Sequence, residues 1–377
     1  MYSRLNSAPA DRSLLLLGPR GTGKTTWTKT ILPDAVRIDL LESQTYATLL
    51  AGPQRLETMI PSGKPWVVVD EVQRIPALLN EVHRLIEGKK LKFLLTGSSA
   101  RKLWRGGVNL LAGRALTRAM HPLTAVEMGD DFDLSNALKF GLLPSAQTLD
   151  AGEYLATYVK TYLDEEVRQE GLTRNLMSFA RFLEAASFSQ ASPLNTAAVA
   201  RECAVDRKVV ESYFGILDDL MIAQRVPVFT KKSKRRLVSH SKFFFFDVGV
   251  YRTLRPSGPL DTPEEMEGPA YETLLLQNIR AINDGLSLGY GVYYWRTSDG
   301  TEVDFVLYGS RGLIAIEVKR GRRYNAKSLT GLLSFRNDYP KAKTFFVYGG
   351  DRRFQEGPIE VWPMKDFLMG LPEILKS

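Results

Sequence analysis

Cysteine and histidine are nearly missing from this 377-residue chain, which has a single cysteine, Cys203, and three histidines. One thiol excludes an intramolecular disulfide and a cysteine-rich zinc site, and three imidazoles argue against a multi-histidine metal centre. That usage fits a reducing compartment. No apolar run approaches the roughly 20 residues that span a bilayer. The first residues lack the charged-then-apolar layout of a signal peptide, so no membrane partner and a cytoplasmic location are expected. Internal repeats and long low-complexity tracts are also missing. Acidic residues are the minority charge, 42 against 50 Lys and Arg, for a net charge of +8. A basic balance of this kind favours a polyanionic partner, nucleic acid first. What is present is ordinary globular composition, 44% hydrophobic and 24% charged, in a length that suits two or three domains.

The most specific signal lies near the start. The apolar run Leu14-Leu15-Leu16-Leu17 leads into Gly18-Pro19-Arg20-Gly21-Thr22-Gly23-Lys24-Thr25, a buried strand delivering the chain into a phosphate-binding loop and then a helix. Gly18, Gly21 and Gly23 let bare backbone wrap a β-phosphate, Lys24 reaches the β and γ oxygens, and Thr25 offers a hydroxyl to Mg²⁺. Thr22 and Thr26 complete the expected contacts with the nucleotide, ATP.

A second apolar strand, Trp66-Val67-Val68-Val69, ends in Asp70-Glu71. In a parallel P-loop sheet this is where a metal-organising Asp70 sits, with Glu71 polarising the attacking water. A third, Lys92-Phe93-Leu94-Leu95-Thr96-Gly97, ends in Ser98-Ser99, and Ser98 is a candidate to sense the γ-phosphate, although serines also end strands for ordinary turn reasons. Arg114, in Leu111-Ala112-Gly113-Arg114, is a candidate arginine finger from a neighbouring subunit of a homo-oligomer. A surface arginine has the same signature.

Apolar strands alternate with helical patterns over residues 1–128, which predicts a parallel sheet covered by helices on both faces. Residues 129–190 read as helical throughout, a candidate lid over the nucleotide. Over 191–250 the pattern suggests a winged helix-turn-helix, with helices from Thr196 to Cys203 and Arg207 to Leu220 and then strands Ile222 to Phe229 and Lys242 to Asp247. Between the strands lies a basic turn with Lys231, Lys232, Lys234, Arg235 and Arg236, placed where a wing meets backbone phosphates. Glu211, Asp218 and Asp219 on the second helix argue against its reading bases. The Pro- and Gly-rich stretch from Pro256 to Pro263 reads as a linker to a last domain, 251–377.

That last domain carries a second constellation. Strand alternation in Thr301-Glu302-Val303-Asp304-Phe305-Val306-Leu307 sets Asp304 opposite the apolar face, and in Leu313-Ile314-Ala315-Ile316-Glu317-Val318-Lys319 it sets Glu317 and Lys319 opposite theirs. A hairpin gathers the three. Two carboxylates and an ammonium are what metal-assisted phosphodiester hydrolysis needs, with Mg²⁺ or Mn²⁺ between the acids. Glu272, on a helix face with Leu275, Leu276 and Ile279, is a candidate third metal ligand, since an unpaired acid there would be costly. Arg320, Arg322 and Arg323 suit a basic rim tracking a nucleic-acid strand. A hairpin with a charged solvent face is the plainer reading of the same spacing.

With these residues in view, nearly the whole chain resembles prokaryotic ATPases that join an AAA-type P-loop core to a winged helix and a C-terminal domain similar to restriction endonucleases and RecB-type nucleases. The matching stretches are Gly18 to Thr25, Val67 to Glu71, Leu95 to Ser99, Leu111 to Arg114, His121 to Glu127, Phe246-Asp247-Val248-Gly249, and Tyr294 through Lys319. The resemblance implies an α/β protein with the AAA strand order, a Mg²⁺-dependent ATPase, and a PD-(D/E)xK signature at Asp304, Glu317 and Lys319 with Glu272 as its helix acid. No clear proline precedes Asp304, and related domains can keep the fold and only bind. The leading expectation is an ATPase whose nucleotide state gates a DNA-cleaving domain. The alternatives are a nucleotide-operated regulatory or defence switch that holds nucleic acid without cutting it, and a protein-remodelling ATPase.

Overall fold

The computed structural model describes residues 2–7, 11–99, 111, 113–148, 150–162, 175–231 and 240–377. The chain divides into two compact units, one formed by Ser3–Pro122 with Leu217–Ile222, the other by Met1–Tyr2, Leu123–Ile216 and Ala223–Ser377. The segment read as a lid, 129–190, belongs to the second unit.

The first unit is built on five parallel strands, β1 (Ser13–Leu17), β2 (Val36–Asp39), β3 (Trp66–Asp70), β4 (Lys92–Gly97) and β5 (Ala115–Ala119), in the order β2-β3-β4-β1-β5. Continuous apolar runs make β1, β3 and β4 interior strands, because helices on both faces of a parallel sheet leave neither face to water. Side chains alternate between two cores: Leu15, Leu17, Val67, Val69, Phe93 and Leu95 pack on one face, and Leu14, Leu16, Val68 and Leu94 pack with Trp27 and Met120 on the other. β1, β3 and β4 end together, so Gly18, Asp70 and Ser98 emerge at one edge.

Helices Thr196–Glu202 and Arg207–Asp219 lie in chain order between β6 (Ser192–Pro193) and β7 (Ala223–Val226), which with β8 (Lys242–Phe245) form a small antiparallel sheet ordered β6-β8-β7. Asn195 caps the first helix by accepting from Ala198 N. Phe246-Asp247-Val248-Gly249 is a structural joint: buried Asp247 accepts from the backbone N–H of Leu142, Gly249 and Val250 and from Gln277 Nε2. Burial raises its pKa to about 6, and those donors oppose the rise. Gly249 is required there, since a Cβ would meet Phe140 O at 2.2 Å. His121 to Glu127 is likewise structural, with a Thr124–Glu127 capping box and Ala125 N donating to Asn278 Oδ1.

The C-terminal part is a mixed six-stranded sheet: β9 (Gly291–Arg296), β10 (Glu302–Gly309), β11 (Gly312–Lys319), β12 (Lys343–Tyr348), β13 (Phe354–Glu356) and β14 (Ile359–Pro363), in the order β13-β14-β12-β11-β10-β9. β10 and β11 form the expected antiparallel hairpin, and β11, β12 and β14 run parallel. Helix Pro263–Gly285 carries Glu272. Past β7 the chain continues against β9, where Phe229 N donates to Tyr294 O (2.7 Å) and Tyr294 N to Pro227 O (3.0 Å). The small sheet and the large one are thereby joined, and the start of β8 lies beside β10.

Candidate functional sites at two sheet edges

The phosphate loop leaves β1 at Gly18, where a Cβ would sit 2.3 Å from Met120 O, so only glycine fits. Gly21 and Gly23 take φ of 79° and 91°, left-handed backbone that glycine adopts without strain. Lys24 is buried, and its Nζ donates to Gly18 O (2.7 Å) and Pro19 O (3.0 Å), while Thr22 Oγ1 closes the loop on Pro19 O (2.8 Å). Thr25 and Thr26, at the start of helix Lys24–Ile31, are exposed.

Asp70 meets this loop directly. Thr25 Oγ1 donates to Asp70 Oδ2 (2.7 Å), and Thr96 Oγ1 donates to Asp70 Oδ1 while accepting from Glu71 N (3.2 Å). Glu71 sits at φ 58°, left-handed backbone unusual for a glutamate. Its Oε2 accepts from Ser98 Oγ (2.9 Å) and from Gln73 Nε2 (2.5 Å), and Gln73 Nε2 also donates to Ser98 Oγ (2.9 Å). All these partners are neutral hydroxyls, amides and backbone, so none of them pairs either acid with a positive charge. The glycine cradle, the hydroxyl on Asp70 and the buried lysine fit Mg²⁺ and a nucleoside triphosphate. Arg114 Nε donates to Glu87 in the same unit. Gln73 was not foreseen: a polar residue two positions past the acids carries no periodic signal.

At the other site, the expected residues converge. Lys319 Nζ lies 2.5 Å from Glu317 Oε1 and 3.7 Å from Asp304 Oδ2, and Asp304 Oδ2 accepts from Val318 N (2.9 Å). Two further residues join them, Glu302 and Lys242. Lys242 Nζ, 2% exposed, is 2.5 Å from Glu302 Oε1, 3.1 Å from Glu272 Oε2 and 3.4 Å from Asp304 Oδ1. Burial pushes Glu317 up to about 8 and Glu272 up to about 7, in both cases opposed by the neighbouring ammoniums. Asp304 is held below its ordinary value because Lys319, Lys242 and the Val318 N–H together outweigh its burial. Its charge in turn raises the Lys319 pKa, and Lys242 stands well above the usual lysine range although burial opposes that.

The place expected for a divalent ion between Glu272, Asp304 and Glu317 therefore holds an ammonium. Among the described residues, no three Asp, Glu, His or Cys side chains are arranged to hold a metal ion, and with Lys242 in place the pocket does not fit Mg²⁺ or Mn²⁺. Glu302 lies two residues before Asp304 on β10, whose pairing with β9 shifts register between Val303 and Val306. Lys242 opens the run Phe243-Phe244-Phe245-Phe246, all buried, and a lysine at the head of a strand buried on both faces is the signal that could have found it.

The basic elements are dispersed. Arg320 pairs with Glu267 (2.8 Å) and Glu264, whereas Arg322 and Arg323 are exposed. Lys231 is exposed, with its Nζ 4.4 Å from the Tyr308 ring centroid; Lys232, Lys234, Arg235 and Arg236 lie outside the described residues. A cleft of about 580 Å³ beside β8 is lined by Asn195, Thr196, Arg207, Arg225 and His240. Among the described residues, no helix is long and apolar enough to cross a membrane.

Residues 10–129 match the family described as AAA domain. Residues 132–261 and 267–367 match two families described as domains of unknown function, DUF8612 and DUF4143. No curated protein matches the sequence. Among solved structures, a Signal Transduction ATPase with Numerous Domains protein with a tetratricopeptide repeat sensor, from Pyrococcus horikoshii, is 15% identical over 74% of this chain, with a TM-score of 0.22. This chain spans 46% of that protein's length. A Vibrio cholerae protein is 11% identical over 97% of both chains, with a TM-score of 0.23. Alignments at such scores establish no shared architecture. The chain thus carries an N-terminal AAA domain of the P-loop ATPase type and, after it, a domain of the DUF4143 family.

Proposed function

We propose that this protein is a Mg²⁺-dependent ATP hydrolase acting as a nucleotide-operated switch, with a second unit that binds nucleic acid, DNA first. The observation that carries the ATPase is the Thr25–Asp70–Thr96 chain of hydrogen bonds at the phosphate loop, with Glu71 and Ser98 alongside. Bound Mg²⁺ would neutralise charge on the transferring phosphoryl group. Lys24 would bind the β and γ oxygens, Thr25 and Asp70 would hold the metal, and Glu71 would take the proton of the attacking water. ATP turnover that needs Mg²⁺ and disappears in Lys24→Ala tests this, and undiminished turnover in that variant rejects it.

The nucleic-acid part rests on the net charge of +8, exposed Arg322 and Arg323, and the cleft at Arg207, Arg225 and His240. The helix pair between β6 and β7, followed by the β7 and β8 strands, supports a winged-helix reading of that region. Fluorescence anisotropy with labelled single-stranded and duplex DNA, with and without ATP, tests it. Affinity that falls steeply with salt is expected, and no binding at low salt rejects it.

A second reading, metal-dependent cleavage of the bound strand, rests on the meeting of Asp304, Glu317 and Lys319 and requires that Lys242 leave the acids when the strand is bound. Incubation of single-stranded, duplex and branched DNA with Mg²⁺ or Mn²⁺ separates the two. Product that Asp304→Ala abolishes favours cleavage, and persistent binding without product favours the switch.

A further inference from the structure

The cation in the acidic pocket comes from the chain itself. Lys242 is donated by β8 of the small sheet, whereas Glu302 and Asp304 belong to β10 and Glu272 to helix Pro263–Gly285. Its Nζ has three carboxylates within 3.4 Å and the Tyr294 ring at 5.5 Å. The second ammonium differs: the Lys319 side chain is 48% exposed and has water to retreat into, while Lys242, at 2%, has none where it lies.

The side chains paired with these lysines, Glu272, Glu302, Asp304 and Glu317, are carboxylates, the donor set of hard divalent cations. One of those oxygens is left over. Glu317, 6% exposed, has its Oε2 buried with no hydrogen-bond partner among the described residues. Neither ammonium satisfies it. A divalent ion brought within bonding distance of Asp304 and Glu272 would stand against the Lys242 ammonium, and two cations a few ångströms apart in a buried site repel strongly.

We propose that Lys242 is a tethered counter-ion that keeps the acidic pocket closed to divalent metal, ammonium and metal competing for one position. Metal enters only when the lysine leaves. The competition is read as Mn²⁺ binding to the protein without DNA, and the cleavage reading as product formed from bound DNA, so the failure of one is distinguishable from the failure of the other.

The test is Mn²⁺ binding to the full chain without nucleotide, followed by electron paramagnetic resonance of free Mn²⁺, with Lys24→Ala in every sample to weaken the phosphate-loop site. Protein with Lys242 is expected to show no uptake that depends on Asp304. Lys242→Met is expected to bind one Mn²⁺ at least tenfold more tightly, a gain lost again in Lys242→Met/Asp304→Asn. A folded Lys242→Met protein, checked by circular dichroism, that gains no Mn²⁺ overturns the proposal. So does Mn²⁺ uptake by the Lys242-containing protein that Asp304→Asn abolishes. Should Lys242→Met fail to fold, this second comparison alone decides: Asp304-dependent uptake overturns the inference, and its absence supports it.

Discussion

Asp70 and Asp304 both lie on strands beside further acids, yet their partners differ in kind. Asp70 is gripped by two hydroxyls, Thr25 and Thr96, which orient a carboxylate and leave its charge uncancelled. Asp304 faces two ammoniums, Lys242 and Lys319, which cancel charge in the act of holding it. Surroundings differ too, since Thr25 is exposed and Lys242 is not. Asp70, held by neutral donors, has no cation of the protein's own paired with it, whereas Asp304 is already paired with two ammoniums, one of them buried. The same residue type thus sits among neutral donors in one unit and among ammoniums in the other.

The sharpest way to break this comparison is at the nucleotide site. Lys24→Ala should lower ATP turnover by at least about 100-fold, because the buried ammonium acts on the transferring charge; phosphate release measures it. Glu71→Gln should cost about 10²–10⁴ in kcat, the range of a lost general base, with nucleotide affinity retained. Equal loss of both in Glu71→Gln would show a role in binding instead.

The acidic pocket should respond in stability. Lys242→Met should destabilise the second unit by about 3–5 kcal/mol in urea unfolding, since removing one partner strands buried charge. Adding Glu272→Gln should recover part of that loss, and a double variant no better than the single would contradict the pairing. The smallest effect is a pH slope. Burial holds Glu317 at about 8 and Glu272 at about 7 in the folded protein, against about 4.3 in an unfolded chain. Through that window the folded state keeps protons that the unfolded state has released, so stability should fall as pH rises from 5 to 8. Asp304, held low, acts oppositely and only in acid, its contribution disappearing as pH drops below the ordinary carboxylate range. Glu317→Gln should flatten the decline in urea midpoints between pH 5 and 8, and an unchanged slope would remove Glu317 as its source.

Much of the first unit was legible beforehand. The three strands expected at Leu14–Leu17, Trp66–Asp70 and Lys92–Gly97 match β1, β3 and β4 within a residue at each end, because apolar runs punctuated by glycine and acids have few other solutions. Asp304, Glu317 and Lys319 were legible as a trio because alternation along a hairpin assigns faces. Gln73, Asp247 and Lys242 were not. Each acts through partners up to 62 residues away for Lys242 and 105 for Asp247, and no local period encodes such a meeting. The Phe246-Asp247-Val248-Gly249 stretch, one of those that carry the family resemblance, is a packing joint, where one buried carboxylate gathers backbone donors from two elements.

The sequence alone determined a phosphate-binding loop between a buried strand and a helix, two acids at the end of a neighbouring strand, and a late hairpin with its charges on one face. These are local properties, set by residue type, spacing and the periods of helix and strand. Which cation answers the late acids was decided only in three dimensions. Docking β8 beside β10 brought Lys242 among them, and a buried carboxylate cluster must be neutralised by whatever positive charge the packing delivers.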